Sequence, residues 1–523
     1  MNGKGRRPSK RDHDERTADV PERRRRLNMA ALFTHNWNSI LLLGCIVMAV
    51  LWMTYDLMQD RYWRHETGSA HGVATWARRR DFKRLGLFGV EGIIVGRFKG
   101  RLLRYRTDKH LLTLAPNRAG KGVSSLIPNL LSYPGSMVVI DPKGENTAIT
   151  ARHRRDMGQT VHVIDPWGIT GIQTSRFNPL LWLDPSGPDL IEDVMLLADT
   201  QVVASDGKDD VFWTPETIAL LAGFMLHIVT TEPRERRHFG TLREFVTFGE
   251  AEFDWLIDDM RANQGAHGLV ARAANRLMQK SKRERSAVIS SAQAQTHILD
   301  SPRMVDALAA SDFDLRNLKR GAMTLYLVLP ADRLVTHGRW LRLMISLCLA
   351  TLTRDRTPPP HPVLFMLDEF AALGRLQAVE TAMGLLAGYG VQLWPVLQDL
   401  AQLEDLYPSR WRSFLANAGA IQAFGVNDHG TAEYLSSLLG TRTATVRQRT
   451  RPGSSARNER RGQNESFSVV SRPLLMPHEI LLMPPDKQLL LLQGQPPILA
   501  DKLRYYADRE FADLFDPNPM LRQ

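Results

Sequence analysis

After residue 110 the chain carries eight mostly apolar runs, each four to six residues long: Leu111–Leu114, Met137–Ile140, Val161–Ile164, Thr324–Leu329, Val363–Leu367, Val391–Val396, Ala420–Phe424 and Leu489–Leu492. Each is too short for a helix and has the length and β-branched content of a strand. Long helical patterns separate them. That alternation predicts an α/β fold with a parallel sheet covered on both faces. In such sheets chemistry collects where the strands end, at their carboxyl edge.

Three of these strand ends carry suggestive side chains. After the first run the sequence reads APNRAGKGVSS, Ala115 to Ser125, and leads into a helical pattern. A phosphate loop needs small residues that let backbone N–H groups face phosphate oxygens, a lysine, and a helix N-terminus behind. Pro116, Asn117, Arg118, Ala119, Gly120, Lys121, Gly122, Val123 and Ser124 are the candidate nucleotide-binding residues. The strict G-x-x-x-x-G-K-[ST] pattern fails twice, at Ala115 and at Gly122, which leaves Ser124, Ser125 or water to replace the magnesium-binding hydroxyl. The second end is Val363 to Glu369, VLFMLDE, which delivers two carboxylates. Asp368 suits Mg²⁺ held through water, and Glu369 suits polarisation of an attacking water. The third end presents Gln398, an amide able to sense a γ-phosphate or orient a water. Taken singly, these segments also read as a turn with a surface lysine, a helix N-cap and a loop glutamine. Their chain order together is that of a RecA-like nucleoside triphosphatase.

Ahead of the sheet, Ile40–Met53 is an unbroken apolar run of 14 residues, and the stretch from Trp37 to Tyr55 contains 19 residues without a charge. That length, with Trp37, Trp52, Tyr55, Tyr62 and Trp63 near its ends, predicts a membrane span. Both flanks are basic, Arg23–Arg26 before and Arg61, Arg64 and Arg78–Arg80 after, so the positive-inside rule favours both ends in the cytoplasm. One span cannot satisfy that. A hairpin, a translocated leader and a second span missing from this chain remain open. The net charge of +11 is segregated, with +5 in residues 1–26, +11 in 61–121 and +6 in 442–472. Such clusters suit anionic lipid or nucleic acid, and equally a solvated surface. Two cysteines, Cys45 and Cys348, exclude a disulfide framework or a cysteine-rich metal site. No HExxH and no GxSxG pattern occurs.

Between Pro179 and about Lys282 the strand pattern gives way to helices, including Thr214–Thr231 and Leu242–Met260, with Trp213 and Trp255 expected in their core. About 100 residues suffice for a helical domain. Residues 443–468 are rich in Arg, Ser, Gly and Asn and read as a mobile loop.

The segments Ala115–Arg155, Arg176–Leu180, Val363–Leu376, Leu397–Leu403, Arg472–Asp486 and Gln495–Asp508, with the lead-in Gly68–Leu87, closely resemble the TraG-like type IV secretion coupling proteins. The resemblance covers nearly everything after the apolar run. It implies a RecA-like P-loop core with ATP and Mg²⁺, an inserted all-α domain facing cargo, and an N-terminal anchor in the bacterial inner membrane with the ATPase in the cytoplasm. The implied organisation is a basic leader (1–36), an anchor (37–59), a first core segment (60–180), the all-α domain (181–285) and a second core segment (286–523). Implied partners are five further copies in a homohexamer, type IV secretion channel components, relaxase-bound single-stranded DNA or effector proteins, and membrane lipid. Within the core the likeness gives Lys121 the phosphates, Asp368 the Mg²⁺, Glu369 the water and Gln398 a sensor role. Arg375 is the candidate to reach a neighbouring subunit's nucleotide, although a surface salt bridge fits it as well. Asp141, Lys143 and Glu145 suit coupling to a subunit interface or plain turn formation. The alternatives are a membrane receptor that does not hydrolyse nucleotide, and a chromosomal DNA pump of the FtsK or HerA kind.

Overall fold

The computed structural model describes residues 71–202, 210–450 and 464–521. The basic leader and the apolar run Ile40–Met53 lie outside the described residues, and among the described ones no helix is long and apolar enough to cross a membrane. The chain divides into two compact units, one of residues 1–71 and 443–471, the other of residues 72–442 and 472–523.

The larger unit is built on an 11-stranded sheet. Its strands are β1 (Ile93–Phe98), β2 (Arg101–Tyr105), β3 (His110–Leu114), β4 (Met137–Asp141), β5 (Thr160–Ile164), β6 (Met323–Val328), β7 (Val363–Leu367), β8 (Val391–Leu397), β9 (Ala418–Ala423), β12 (Lys487–Leu492) and β13 (Ile498–Asp501). Across the sheet they run β2-β1-β13-β12-β9-β3-β8-β7-β4-β6-β5. From β9 to β5 every neighbouring pair is parallel, whereas β12, β13, β1 and β2 form an antiparallel wing. All eight expected strands are present. The wing strands β1, β2 and β13 were not foreseen.

The parallel strands are mostly apolar because both faces are covered: every residue of β3, β4, β6, β7, β8 and β9 is buried. One buried cation is fully bonded by its surroundings. Arg154, fully buried, donates to the carbonyls of Leu130 and Gly135 and to Gln159 Oε1, and so closes the turn that leads into β4. Between β5 and β6 the chain is helical in every regular element, from Pro179–Trp182 to Asn317–Arg320. There Phe224, Phe245, Leu242 and Met260 form the packed interior. Two expectations fail in this region. Leu242–Met260 is not one helix but parts of two, Phe239–Thr247 and Glu250–Ala262, separated at Phe248–Gly249, where extended backbone ends one and starts the next. Trp255 is 66% exposed rather than in the core.

In the other unit, β10 (Thr441–Thr450) pairs with β11 (Asn464–Pro473), both reaching a few residues beyond its bounds. Much of the segment expected as a loop over 443–468 is thus strand. Its β-branched residues, among them Thr443, Thr445 and Val446, favour extended backbone, and the polar composition that reads as a loop is that of a solvated ribbon.

Candidate nucleotide site

β3, β8 and β7 are consecutive and parallel, so their carboxyl ends share one edge. With strands about 4.8 Å apart, the ends of β3 and β7 lie roughly 10 Å from each other. A lysine can span that gap.

The loop after β3 is tied down at its start by Ala115 N, which donates to the Leu397 carbonyl at 2.8 Å, and it turns through a bond from Ala119 N to Pro116 O at 3.1 Å. Asn117 and Arg118 are exposed at its tip. Gly120 adopts φ 89°, left-handed backbone that favours glycine. Its carbonyl accepts from Ser124 N at 2.9 Å, which opens a π-helical turn, Gly122–Leu126, continued by the α-helical turn Ile127–Leu130. Gly425, φ 63°, lets the end of β9 approach this loop: a Cβ there would lie 2.8 Å from Ala119 Cβ.

Lys121 reaches across to the acidic strand end. Its Nζ lies 2.8 Å from Asp368 Oδ1 and also bonds Glu369 Oε1. Gln398 Nε2 donates to Glu369 Oε2 at 3.2 Å, and Glu369 N donates to Asp368 Oδ1 at 2.9 Å. The four residues assigned separately from sequence thus make one hydrogen-bonded group. Glu369 itself sits at φ 51°, ψ 45°, uncommon for a residue with a long side chain. Two side-chain bonds hold it in that conformation.

The electrostatics follow from burial. Burial pushes the Asp368 carboxyl up, against the pull of Lys121, and the neighbouring Glu369 charge adds to the rise. Glu369 is less buried. For it burial is outweighed by the hydrogen bond and charge of Lys121, which hold it below the ordinary glutamate range. Lys121 is raised, because its two carboxylates outweigh its own desolvation. Asp141, at the end of β4, is pushed up to about 6 by complete burial, with the Asp368 charge contributing, although Thr147 donates to it through N and Oγ1, both at 2.7 Å. That bonding makes Asp141 the cap of the turn into the helix Glu145–Asp156; Lys143 is exposed, and Glu145 accepts from Asn518.

Two expected residues stand apart. Arg375 has a 64% exposed side chain and pairs with Glu380 at 3.5 Å, not with any of the four. Ser125 is fully buried and donates to Gln422 Oε1 at 3.0 Å, so its hydroxyl is committed elsewhere. Ser124 is the hydroxyl beside the loop: a Cβ on Gly120 would lie 3.6 Å from its Oγ. Among the described residues no group of three or more His, Cys, Asp or Glu side chains is arranged to hold a metal. Asp368, a hard oxygen donor next to buried Asp141, therefore suits a Mg²⁺ whose other ligands are water and phosphate oxygens. Lys502 lies in the resembling segment Gln495–Asp508, where the sequence reading gives it no role; it donates to Ala119 O at 2.6 Å. The sequence signal for it is a lysine directly after the short strand segment ILAD.

Residues 66–521 match the family model described as type IV secretory system conjugative DNA transfer. This chain belongs to that family. Among the relatives of this coupling protein, VirD4 of Agrobacterium fabrum strain C58 is 28% identical over 467 residues, covering 85% of this chain and 67% of VirD4. The conjugal transfer protein TraG of Escherichia coli is 28% identical over 505 residues, covering 84% and 77%. The plasmid coupling protein TrwB, solved in complex with ADP and Mg²⁺, shares the fold with a TM-score of 0.60 at 16% identity, covering 86% of this chain and 99% of TrwB.

Proposed function

We propose that this coupling protein is a membrane-anchored hexameric ATPase that recruits relaxase-bound single-stranded DNA or effector proteins and feeds them to a type IV secretion channel. The observation that carries the reading is the meeting of Lys121, Asp368, Glu369 and Gln398 at one strand edge. In this reading Gly120, Lys121 and Gly122 receive the phosphates and Asp368 holds Mg²⁺ through water. The metal, when bound, offsets charge on the phosphoryl oxygens. Glu369, kept ionised by Lys121, accepts a hydrogen bond from the attacking water through a carboxylate oxygen, and Gln398 fixes the orientation of that carboxylate. TrwB, whose fold this chain shares, has been captured with ADP and Mg²⁺, which supports a nucleotide at this edge. Arg375, exposed on the surface, would meet a neighbouring subunit's nucleotide by giving up its pair with Glu380. The helical segment 181–285 faces cargo, and the run 37–59 anchors the chain in the inner membrane.

The test is ATP hydrolysis by the purified chain together with transfer in cells. Lys121→Ala and Glu369→Gln are expected to abolish both while membrane localisation persists. Normal hydrolysis in either variant would remove the mechanism. Transfer sustained by Lys121→Ala would favour a receptor that needs no hydrolysis.

A further inference from the structure

Lys502 is delivered to the phosphate loop by the antiparallel wing. β9 runs parallel to β3, β12 runs against β9, and β13 runs against β12, so β13 ends at the same edge as β3. The residue after β13 is Lys502. A chain of buried amides fixes it there. Ser125, on the helix behind the loop, donates to Gln422 Oε1; Gln422 Nε2 donates to Gln488 Oε1 at 2.6 Å; and Gln488 Nε2 donates to the Asp501 carbonyl at 3.0 Å. Lys502 N is tied in turn to Asp486 O at 2.8 Å. The ammonium then closes a ring by donating to Ala119 O, and it lies 4.8 Å from the centroid of the Phe424 ring. A Cβ on Gly120 would lie 3.6 Å from Nζ.

The surroundings of this ammonium are those of an anion site. It is half-buried, and among the described residues no carboxylate lies within ion-pair distance of it. Burial lowers its pKa and Arg504 lowers it further, with Asp486 alone acting the other way from beyond contact. Lys121 spends its charge on two acids; Lys502 spends its charge on a loop carbonyl and an aromatic face. A carbonyl inside a phosphate loop repels phosphate unless a donor engages it.

We propose that Lys502 is a second phosphate-recognition lysine of this site, holding the Ala119 carbonyl away from the nucleotide and adding its own charge beside the nucleotide's phosphates. It acts both through the loop carbonyl and by its own charge, and the inference rests on the nucleotide reading above. Downstream, Leu503, Tyr505 and Phe511 pack with Ile127, Leu131 and Ile149 around the helices that follow the loop and β4, so the same segment ties the loop to the end of the chain.

The experiment uses the full chain with ADP and Mg²⁺ as the probe. Lys502→Met is expected to weaken ADP binding by about tenfold or more, the worth of one charge-assisted hydrogen bond. KM for ATP should rise in step while kcat stays within about twofold. Lys502→Arg should restore binding to within about threefold, and melting without nucleotide should be unchanged in both. Lys502→Gln replaces the methionine variant if that aggregates. ADP binding by the neutral variant within about twofold of the unaltered chain overturns the proposal, as does an equal loss in Lys502→Arg, because charge is then irrelevant. If the unaltered chain does not bind ADP, the nucleotide reading itself falls, and this inference with it.

Discussion

Lys121→Met isolates the electrostatics of the site, since methionine keeps the reach of lysine and loses its charge. The ammonium lies 2.8 Å from Asp368 Oδ1 and also bonds Glu369, with side-chain exposures of 12%, 12% and 22% for the three residues. At an effective dielectric near 20, one such pair is worth about 6 kcal/mol before desolvation. Desolvation offsets part of that, and removing one member of a buried pair costs about 3–5 kcal/mol net. The variant is therefore expected to melt about 3–6 °C lower at neutral pH. Asp368→Asn in the same background should recover most of the loss, because an amide needs no counter-charge, giving a coupling of about 3 kcal/mol in the double-mutant cycle. The pH dependence has a definite sign. In the variant, Asp368 is raised above its unfolded value by burial and by the Glu369 charge, opposed only by the hydrogen bond from Glu369 N. Stability is then full below the ordinary carboxylate range and is lost as pH rises through the folded pKa. Thermal melts of the four proteins between pH 4 and 8 read all of this. A Lys121→Met variant as stable as the parent, or no recovery on adding Asp368→Asn, would show that the contacts carry little energy and refute the reasoning.

Glu369→Gln should retain ADP binding by equilibrium titration yet lose at least about a hundredfold in turnover, the contribution of a positioned base. Gly122→Ser should be tolerated, because a Cβ at Gly122 meets nothing within 4 Å; the helix gains about 0.5 kcal/mol, and a lower melting point would contradict the open geometry. His110, buried at the start of β3, accepts from Leu393 N at 3.0 Å, and burial holds its pKa down to about 4. Stability from the neutral ring is full above about pH 6.5 and falls by roughly 3 kcal/mol as pH drops to 4, so His110→Gln should flatten that part of the acid-unfolding profile. Arg375→Ala should leave melting and ADP binding of the isolated chain unchanged, since exposed pairs contribute at most about 1 kcal/mol, and should slow turnover only where chains assemble.

How far the sequence revealed this molecule depends on which surfaces each strand buries. The parallel strands are legible because two covered faces demand unbroken apolar residues, as in VLFML of β7, and because their ends carry the chemistry. The wing hides for the opposite reason. β2, RLLRY, exposes its first arginine, β1 is interrupted by a register shift at Gly96, and β13 spans only Ile498–Asp501. Chain order alone brings Lys121, Asp368, Glu369 and Gln398 to strand ends; that β3, β8 and β7 are neighbours is seen only in the fold. Lys502 is less legible. Its place depends on two reversals of chain direction and on Gln422 and Gln488, polar residues in the middle of strands that no motif marks. Trp255 shows the reverse: a large aromatic in a helical pattern reads as interior, and it is exposed.

The pairing of Lys121 with Asp368 and Glu369 bears on how nucleotide and catalysis are linked. One ammonium cannot hold two carboxylates and a γ-phosphate at full strength, so a triphosphate that engages Lys121 competes with both acids. The competition is favourable only if the loop amides, Lys502 and the metal contribute enough charge stabilisation to replace what the acids lose. With Lys121 turned to phosphate, Glu369 would keep its hydrogen bond from Gln398, leaving an oriented carboxylate to hold water, and Asp368 would be free to hold Mg²⁺. A diphosphate lacks the group that competes and leaves the lysine with its acids. In the proposed reading the same side chain would sense the third phosphate and free the base, by the swing of one lysine across two strands.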